Sequence, residues 1–104
     1  MKREIIAVTA ADIERANALR AERTAYMQRA YPGYEGSGVH PNECPVACAL
    51  MRIYQSEIAG ANADFLSVRG KRSDGISRAL RRFVRQWDRT WKAEPARFLV
   101  VWED

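Results

Sequence analysis

The sequence predicts a single α+β domain, residues 1–104, in which a small sheet of about three strands packs against two to three helices in the order β-α-α-β-α-β. Three observations lead to this prediction. Apolar segments rich in β-branched and aromatic residues lie near both ends of the chain, segments with helical periodicity lie between them, and Gly- and Pro-containing stretches separate the two kinds. A chain of 104 residues with 47% hydrophobic side chains suits one domain with one modest core.

The first half of the chain is predicted to hold one strand and two helices. Residues 5–8 form the strand, because β-branched residues dominate there. Residues 10–31 contain neither Gly nor Pro, and Thr9 followed by Asp12 predicts a capping box at the start of a surface helix with a thin apolar stripe. Residues 34–42 predict a loop, after which Pro45 at a first helical position starts a second helix that extends to about residue 54.

The second half is predicted to hold the third helix between two strands. Residues 65–68 predict a short strand, for which residues 57–59 are a candidate partner across a turn at 60–62, and residues 70–75 predict a basic turn. Residues 76–91 predict the third helix, since six apolar side chains fall within an arc of about 100°: Ile76, Leu80, Phe83, Val84, Trp87 and Trp91. Residues 98–102 predict the last strand. We expect 5–8, 65–68 and 98–102 to form one sheet, with the third helix packed on it.

The third helix also carries the sharpest functional signal. Seventeen Lys and Arg against thirteen Asp and Glu give a net charge of +4, and the cations concentrate in and just before this helix, opposite its apolar stripe. The predicted binding residues are Arg78, Arg81, Arg82, Arg85, Arg89, Lys92, Lys71 and Arg72. A solvated face is one interpretation, and a docking surface for an anionic partner is the other. Membrane docking is disfavoured, because Trp87 and Trp91 would have to leave the core of a small domain.

The pattern H-x3-C-x3-C, formed by His40, Cys44 and Cys48, is the one arrangement that suggests metal or thiol chemistry. A structural zinc site needs four converging ligands, and only three are evident. Cys44 could act as a nucleophile with His40 as its base, but no orienting third group is visible. We therefore predict reduced, buried cysteines, no metal, no cofactor and no enzymatic activity, and rank a thiol or metal enzyme last.

The chain shows no targeting segment in its sequence. The apolar run near the N-terminus is shorter than the core of a signal peptide, and no stretch approaches the length of a membrane span. These observations predict a cytoplasmic protein.

Three short motifs, in order, resemble a family of small proteins encoded by bacteriophages and prophages. The motifs are V-T-A-A-D-I at 8–13, C-P-V-A-C-A-L at 44–50, and F-V-R-Q-W-D at 83–88 followed by E-P-A-R-F at 94–98. Many relatives carry another Cys three residues before the C-P pair, where this chain has Pro41, and residues 20–38 look like an insertion. The resemblance implies a phage-borne accessory protein in the host cytoplasm and supplies no catalytic residues.

Two functions follow as expectations. The first is a non-enzymatic interaction protein that blocks a host defence complex, as anti-CRISPR proteins do, with a partner that presents an acidic or phosphate surface. The alternative is a small nucleic-acid-binding accessory protein that uses the third helix, although no named nucleic-acid-binding motif is present.

Overall fold

The computed structural model describes residues 2–34 and 41–103, which form an α+β fold with three helices and two small sheets. The strands β1 to β5 are Lys2–Val8, Ala59–Ala61, Leu66–Val68, Lys71–Ser73 and Ala96–Trp102. The helices α1 to α3 are Ala10–Ala30, Pro45–Tyr54 and Arg78–Thr90, and a 3-10 turn at Pro41–Glu43 precedes α2. The α+β class is confirmed, but the order β-α-α-β-β-β-α-β contains two strands more than predicted.

The first sheet joins the two ends of the chain. β1 and β5 pair antiparallel, with Lys2 opposite Trp102 and Ile6 opposite Phe98. Because side chains alternate between the faces of a strand, the even-numbered residues of both strands share one face. That face carries Ile6, Phe98 and Trp102 into the core, whereas the odd-numbered residues point away from it.

The predicted strand at 65–68 does not join this sheet, so the expectation of one three-stranded sheet is wrong. β3 instead lies between β2 and β4 in a separate antiparallel sheet. Arg69 and Gly70 adopt φ values of +46° and +76°, as in a two-residue type I′ hairpin turn. The chain therefore reverses at once, and residues 71–73 form β4 where a turn was predicted. One bridge, between Arg72 and Glu103, connects β4 to the end of β5.

The strand at 65–68 has an antiparallel partner just before it in the chain, as expected, but that partner lies two residues later than predicted. Ala59–Ala61, rather than 57–59, pairs with Leu66–Val68. The turn lies after Asn62, whose side-chain oxygen accepts hydrogen bonds from the backbone N–H groups of Asp64 at 2.7 Å and Phe65 at 3.0 Å. This Asx-type turn provides hydrogen-bond acceptors for the backbone N–H groups of the turn. The turn therefore lies after Asn62 and not at 60–62, where it was predicted.

Helix α1 begins with the predicted capping box. The Thr9 hydroxyl accepts from the Asp12 N–H at 3.2 Å, and the Asp12 carboxylate accepts from the Thr9 N–H at 2.9 Å. The same carboxylate accepts from Arg52 of α2 at 2.9 Å, so the cap also ties the two helices together. Burial raises the pKa of Asp12, but hydrogen bonds from Arg52 and Thr9 outweigh it and hold the pKa below its ordinary value of 3.8.

Helix α2 runs through the centre of the molecule, with every residue from Pro45 to Met51 buried. Helix α3 packs on the buried face of the first sheet, where the rings of Phe83 and Phe98 meet edge to face with centroids 5.2 Å apart. The predicted packing of this helix on the C-terminal strand is thus confirmed, although Phe83 is only partly buried.

Candidate partner-binding face on helix α3

Four arginines stand one above another on the outer side of α3, and we call them the arginine stripe: Arg78, Arg82, Arg85 and Arg89. Their spacing places them within about 60° around the helix axis and along about 16 Å of its length. All four side chains are exposed. Within residues 2–34 and 41–103, none of the four guanidinium groups has an ion-pair or hydrogen-bond partner.

The core fixes the orientation of this stripe. Leu80, Val84 and Trp87 are buried on the inner side of α3, which forces the stripe toward solvent. The helix is also bounded at both ends, because the Ser77 side chain accepts from the Leu80 N–H at 3.2 Å and Trp91 turns the chain with a left-handed φ of +62°. Core packing therefore fixes the rotation of α3 about its axis, and the caps fix the residues at which it begins and ends.

Arg81, predicted to point outward with the stripe, is only half exposed and is used within the fold. Its Nε donates a hydrogen bond to the backbone oxygen of Ala63 at 3.0 Å. The predicted outward orientation was wrong, because Arg81 lies at the edge of the cationic arc, where the loop between β2 and β3 reaches the helix. Its role as a binding residue stays a prediction. Lys92 is exposed, but it follows the turn at Trp91 and so leaves the helical arc on which it was placed.

Lys71 and Arg72, the remaining predicted binding residues, lie on β4 rather than in a turn and are engaged by neighbours. The Arg72 guanidinium pairs with Asp74 at 2.9 Å and lies over the Phe65 ring at 4.9 Å. The Lys71 ammonium lies 5.3 Å from the centroid of the Tyr54 ring. Unlike these two cations, the four arginines of the stripe have no partner in the described residues. Other exposed cations, such as Arg15 and Arg97, share that state, but only the stripe lines up four of them on one side of a helix.

A buried arginine that the sequence did not single out supports the end of α3. Arg20 of α1 is only 3% exposed, and its two terminal nitrogens donate to the backbone oxygens of Trp87 at 3.1 Å and Asp88 at 2.8 Å. Its guanidinium lies between the rings of Trp87 and Trp91, 4.8 and 4.2 Å from their centroids. A cation at a helix C-terminus interacts favourably with the helix dipole. Arg20 thus anchors the end of the helix that carries the stripe.

Asp88 completes this cluster and is the acidic residue that interrupts the cations of α3. Burial raises its pKa above the ordinary value of 3.8, and the positive charge of Arg20 opposes that rise. Among the described residues, Oδ1 of Asp88 and Nε of Arg20 are buried without a hydrogen-bond partner. The carboxylate is therefore turned into the fold and does not neutralise the stripe.

The two cysteines lie in the interior, as predicted. The Cys44 thiol caps α2 by accepting from the Ala47 N–H at 3.4 Å and donates to the Ala61 oxygen at 3.5 Å. Burial raises the pKa of Cys44 to about 12 and that of Cys48 to about 11. Neither environment favours a thiolate at neutral pH. His40, the proposed third member, lies outside the described residues.

An open cleft of about 780 Å³ lies between the end of α2 and the β3–β4 hairpin. Its lining includes one carboxylate, Glu57, and three cations, Arg69, Lys71 and Arg72, but no His or Cys. The described part of the chain has no cluster of three or more His, Cys, Asp or Glu side chains placed to hold a metal ion. The arginine stripe is accordingly the feature with the clearest functional geometry.

Comparisons of the chain with protein-family models, with curated proteins and with solved structures give no match. None of the helices in the described ranges is both long and apolar enough to cross a bilayer. The resemblance to small phage proteins rests on the three sequence motifs and stays a prediction.

Proposed function

We propose that this chain is a non-enzymatic interaction protein that docks on an anionic partner through the arginine stripe. The observation that carries the proposal is the set of four exposed arginines on one side of α3, none of which has a partner in the described fold. The planar guanidinium fork is suited to carboxylates and phosphates, with which it forms paired, charge-assisted hydrogen bonds.

The stripe costs folding energy, which favours a role outside the fold. Arg78 and Arg82, Arg82 and Arg85, and Arg85 and Arg89 are like-charged neighbours three or four residues apart on the helix. Each such pair destabilises a helix by a few tenths of a kcal/mol, so the three together cost about 1 kcal/mol at low salt. The negative charges of an anionic partner would offset the repulsion between these arginines in the complex. They would also accelerate the encounter of the two molecules.

A phage-borne inhibitor of a host defence complex is the specific form of this function that we propose, and it rests on the phage origin that the resemblance implies and on the elimination of catalytic groups. A nucleoprotein complex offers phosphates and carboxylates together, which are the two chemistries that suit the stripe. Direct binding of free nucleic acid is the competing use of the same surface, and the experiment below separates the two.

The test is capture of a partner from a bacterial lysate by the immobilised protein. It compares a charge-reversal variant within the stripe with a charge-reversal variant outside it. The variant Arg82→Glu/Arg85→Glu places two carboxylates at the centre of the stripe. The matched control is Arg15→Glu/Arg29→Glu, which changes two exposed arginines of α1 and lowers the net charge equally, from +4 to 0. Arg81 is left intact, because losing its hydrogen bond to the Ala63 oxygen would lower stability and so obscure an effect on binding.

We expect the control to capture as much partner as the parent protein. The stripe variant should capture at most one-tenth of that amount. Undiminished capture by the folded stripe variant would place the binding surface elsewhere. Capture that survives nuclease treatment identifies a protein surface. Capture that is lost with nuclease and replaced by binding to a 20-base-pair DNA duplex identifies nucleic acid as the partner.

A further inference from the structure

A small, largely apolar pocket lies between α3 and the start of β5, next to the arginine stripe. Its volume is about 260 Å³. Phe83 and Phe98 both line it, and Phe83 is only partly buried, so part of an aromatic ring faces the pocket. Small apolar residues complete most of the wall: Ala79, Ala93, Pro95 and Ala96. A pocket of this size suits a single side chain rather than a drug-sized ligand.

The spacing of residues along α3 places this pocket directly beside the stripe. At about 100° per residue, Arg82 lies at the edge of the stripe, and Gln86 and Ala79 follow it about 40° and 60° further around the helix, toward the buried face. Arg82 lines the pocket and so belongs to both features. Ala79 is exposed and apolar, whereas the other exposed residues of α3 are polar. Its small side chain leaves the pocket open beside the cations.

We propose that this pocket holds an apolar side chain of the partner, and that carboxylates flanking this side chain pair with the arginine stripe. The ligand is then an acidic segment of a protein with one apolar residue in its middle. This inference rests on the proposed function, because it names the class of partner that the stripe recognises. In protein interfaces, the residues that contribute most of the binding energy fill pockets, and polar contacts surround them.

The charges around the pocket determine where the acidic residues of the partner lie. Glu94, on the loop before β5, is an exposed carboxylate in the pocket lining and would repel an acidic segment. Arg85 lies further around α3 from the pocket than Arg82 does, on the side away from this loop. The acidic residues therefore lie along α3, where the four cations of the stripe outnumber the single carboxylate of the loop.

The pocket favours a protein over nucleic acid as the occupant. A nucleic-acid duplex presents phosphates and sugars on its outside, and a base enters a pocket only after it has been unpaired and unstacked. A flipped base is recognised mainly through hydrogen bonds to its edge, whereas most side chains of this pocket offer none. An aliphatic or aromatic side chain on an acidic segment needs neither the unstacking nor those hydrogen bonds.

Fluorescence anisotropy with defined probes tests the proposal. One peptide is a short run of Asp and Glu with a central Phe, a second peptide has Ala in place of that Phe, and the third probe is an oligothymidylate of similar length. We expect the parent protein to bind the Phe peptide at least fivefold more tightly than the Ala peptide at low salt. Ala79→Gln places a longer, polar side chain over the pocket without changing the charge, and this preference should fall below twofold. Ala25→Gln, the same substitution at an exposed alanine of α1, is the matched control and should keep the preference.

The variant Arg82→Glu/Arg85→Glu separates this inference from the proposed function. Equal binding of the two peptides by the parent protein, lost in this variant, would overturn the pocket and still support the stripe. Equal binding that the variant keeps, or no binding of either peptide, would contradict both.

A measurement on the unmodified protein makes the test independent of any variant. On titration with the Phe peptide, amide shifts in the NMR spectrum should be largest at residues 79–86 and 93–98. Shifts that concentrate on another surface would overturn the proposal. Oligothymidylate that binds as tightly as the Phe peptide would overturn it in favour of nucleic acid.

Discussion

Replacing Arg20 tests its role as the side chain that anchors the C-terminal end of α3. The side chain is almost fully enclosed, donates to two backbone oxygens in the last turn of α3 and lies 4.8 and 4.2 Å from the centroids of two indole rings. Arg20→Ala removes both hydrogen bonds, both ring contacts and the buried aliphatic stem in one change.

The expected loss follows from these contacts. A partly buried cation at a helix C-terminus contributes up to about 2 kcal/mol. Stacking on two indole rings adds roughly 1 kcal/mol, and burial of the stem adds about another 1 kcal/mol. The substitution also removes a buried charge whose Nε has no hydrogen-bond partner. The desolvation cost of that charge is recovered, which makes the net loss of stability smaller than the sum of these contributions. We therefore expect Arg20→Ala to lower the free energy of unfolding by about 3 kcal/mol.

Urea denaturation measures this loss, with two companion variants. Arg20→Met keeps most of the buried stem but lacks the donors, so we expect it to cost about 2 kcal/mol. Arg15→Ala removes an exposed arginine of the same helix and should cost less than about 0.5 kcal/mol. Hydrogen exchange at residues 87–91 should accelerate in both Arg20 variants. A loss below 1 kcal/mol for Arg20→Ala, or a loss equal to that of Arg15→Ala, would refute the anchoring role.

Three further predictions concern the stripe, the cap and the thiols. Arg85→Gln relieves like-charge repulsion and should stabilise the fold by about 0.5 kcal/mol at low salt; a gain that is unchanged in 1 M NaCl would exclude an electrostatic cause. The pKa of Asp12 is depressed in the folded state, so its contribution to stability is present above pH 3.8 and lost as pH falls through the folded pKa. Asp12→Asn should therefore be destabilising at pH 7 and converge with the parent protein in strong acid, and parallel pH profiles would contradict this. Cys44 and Cys48 should resist a thiol reagent at pH 8 until the protein unfolds, and the purified protein should be free of metal; stoichiometric zinc or iron that is lost in Cys48→Ala would overturn this.

The helix boundaries were predictable because their signals are local. Thr9 and Asp12 form the capping box that their spacing predicts, and Pro45 occupies the first position of α2. The second sheet was not predictable in the same way. Its strands are three residues long, too short to show a period of two, and its sharp turn uses Arg69 where a type I′ turn favours Asn or Gly.

The candidate site was predictable only where the helix alone determines it. The two faces of α3 follow from helical periodicity, so the stripe emerged from the sequence. Arg81 could not be separated from it, because its partner, the Ala63 oxygen, comes from a distant loop. Arg20 was missed because an arginine on a polar helix usually faces water. One signal was present, since Arg20 continues the spacing of the buried residues Ile13 and Ala16.

The most direct test of the central claim is chemical footprinting of the arginines in the free protein and in its complex with the captured partner. A dicarbonyl reagent modifies accessible guanidinium groups, and mass spectrometry locates each modified residue. The account predicts that Arg82 and Arg85 react readily in the free protein and lose most of their reactivity in the complex, while Arg15 and Arg29 on α1 react equally in both. Unchanged reactivity along the stripe, with protection elsewhere, would contradict the claim that α3 carries the binding surface.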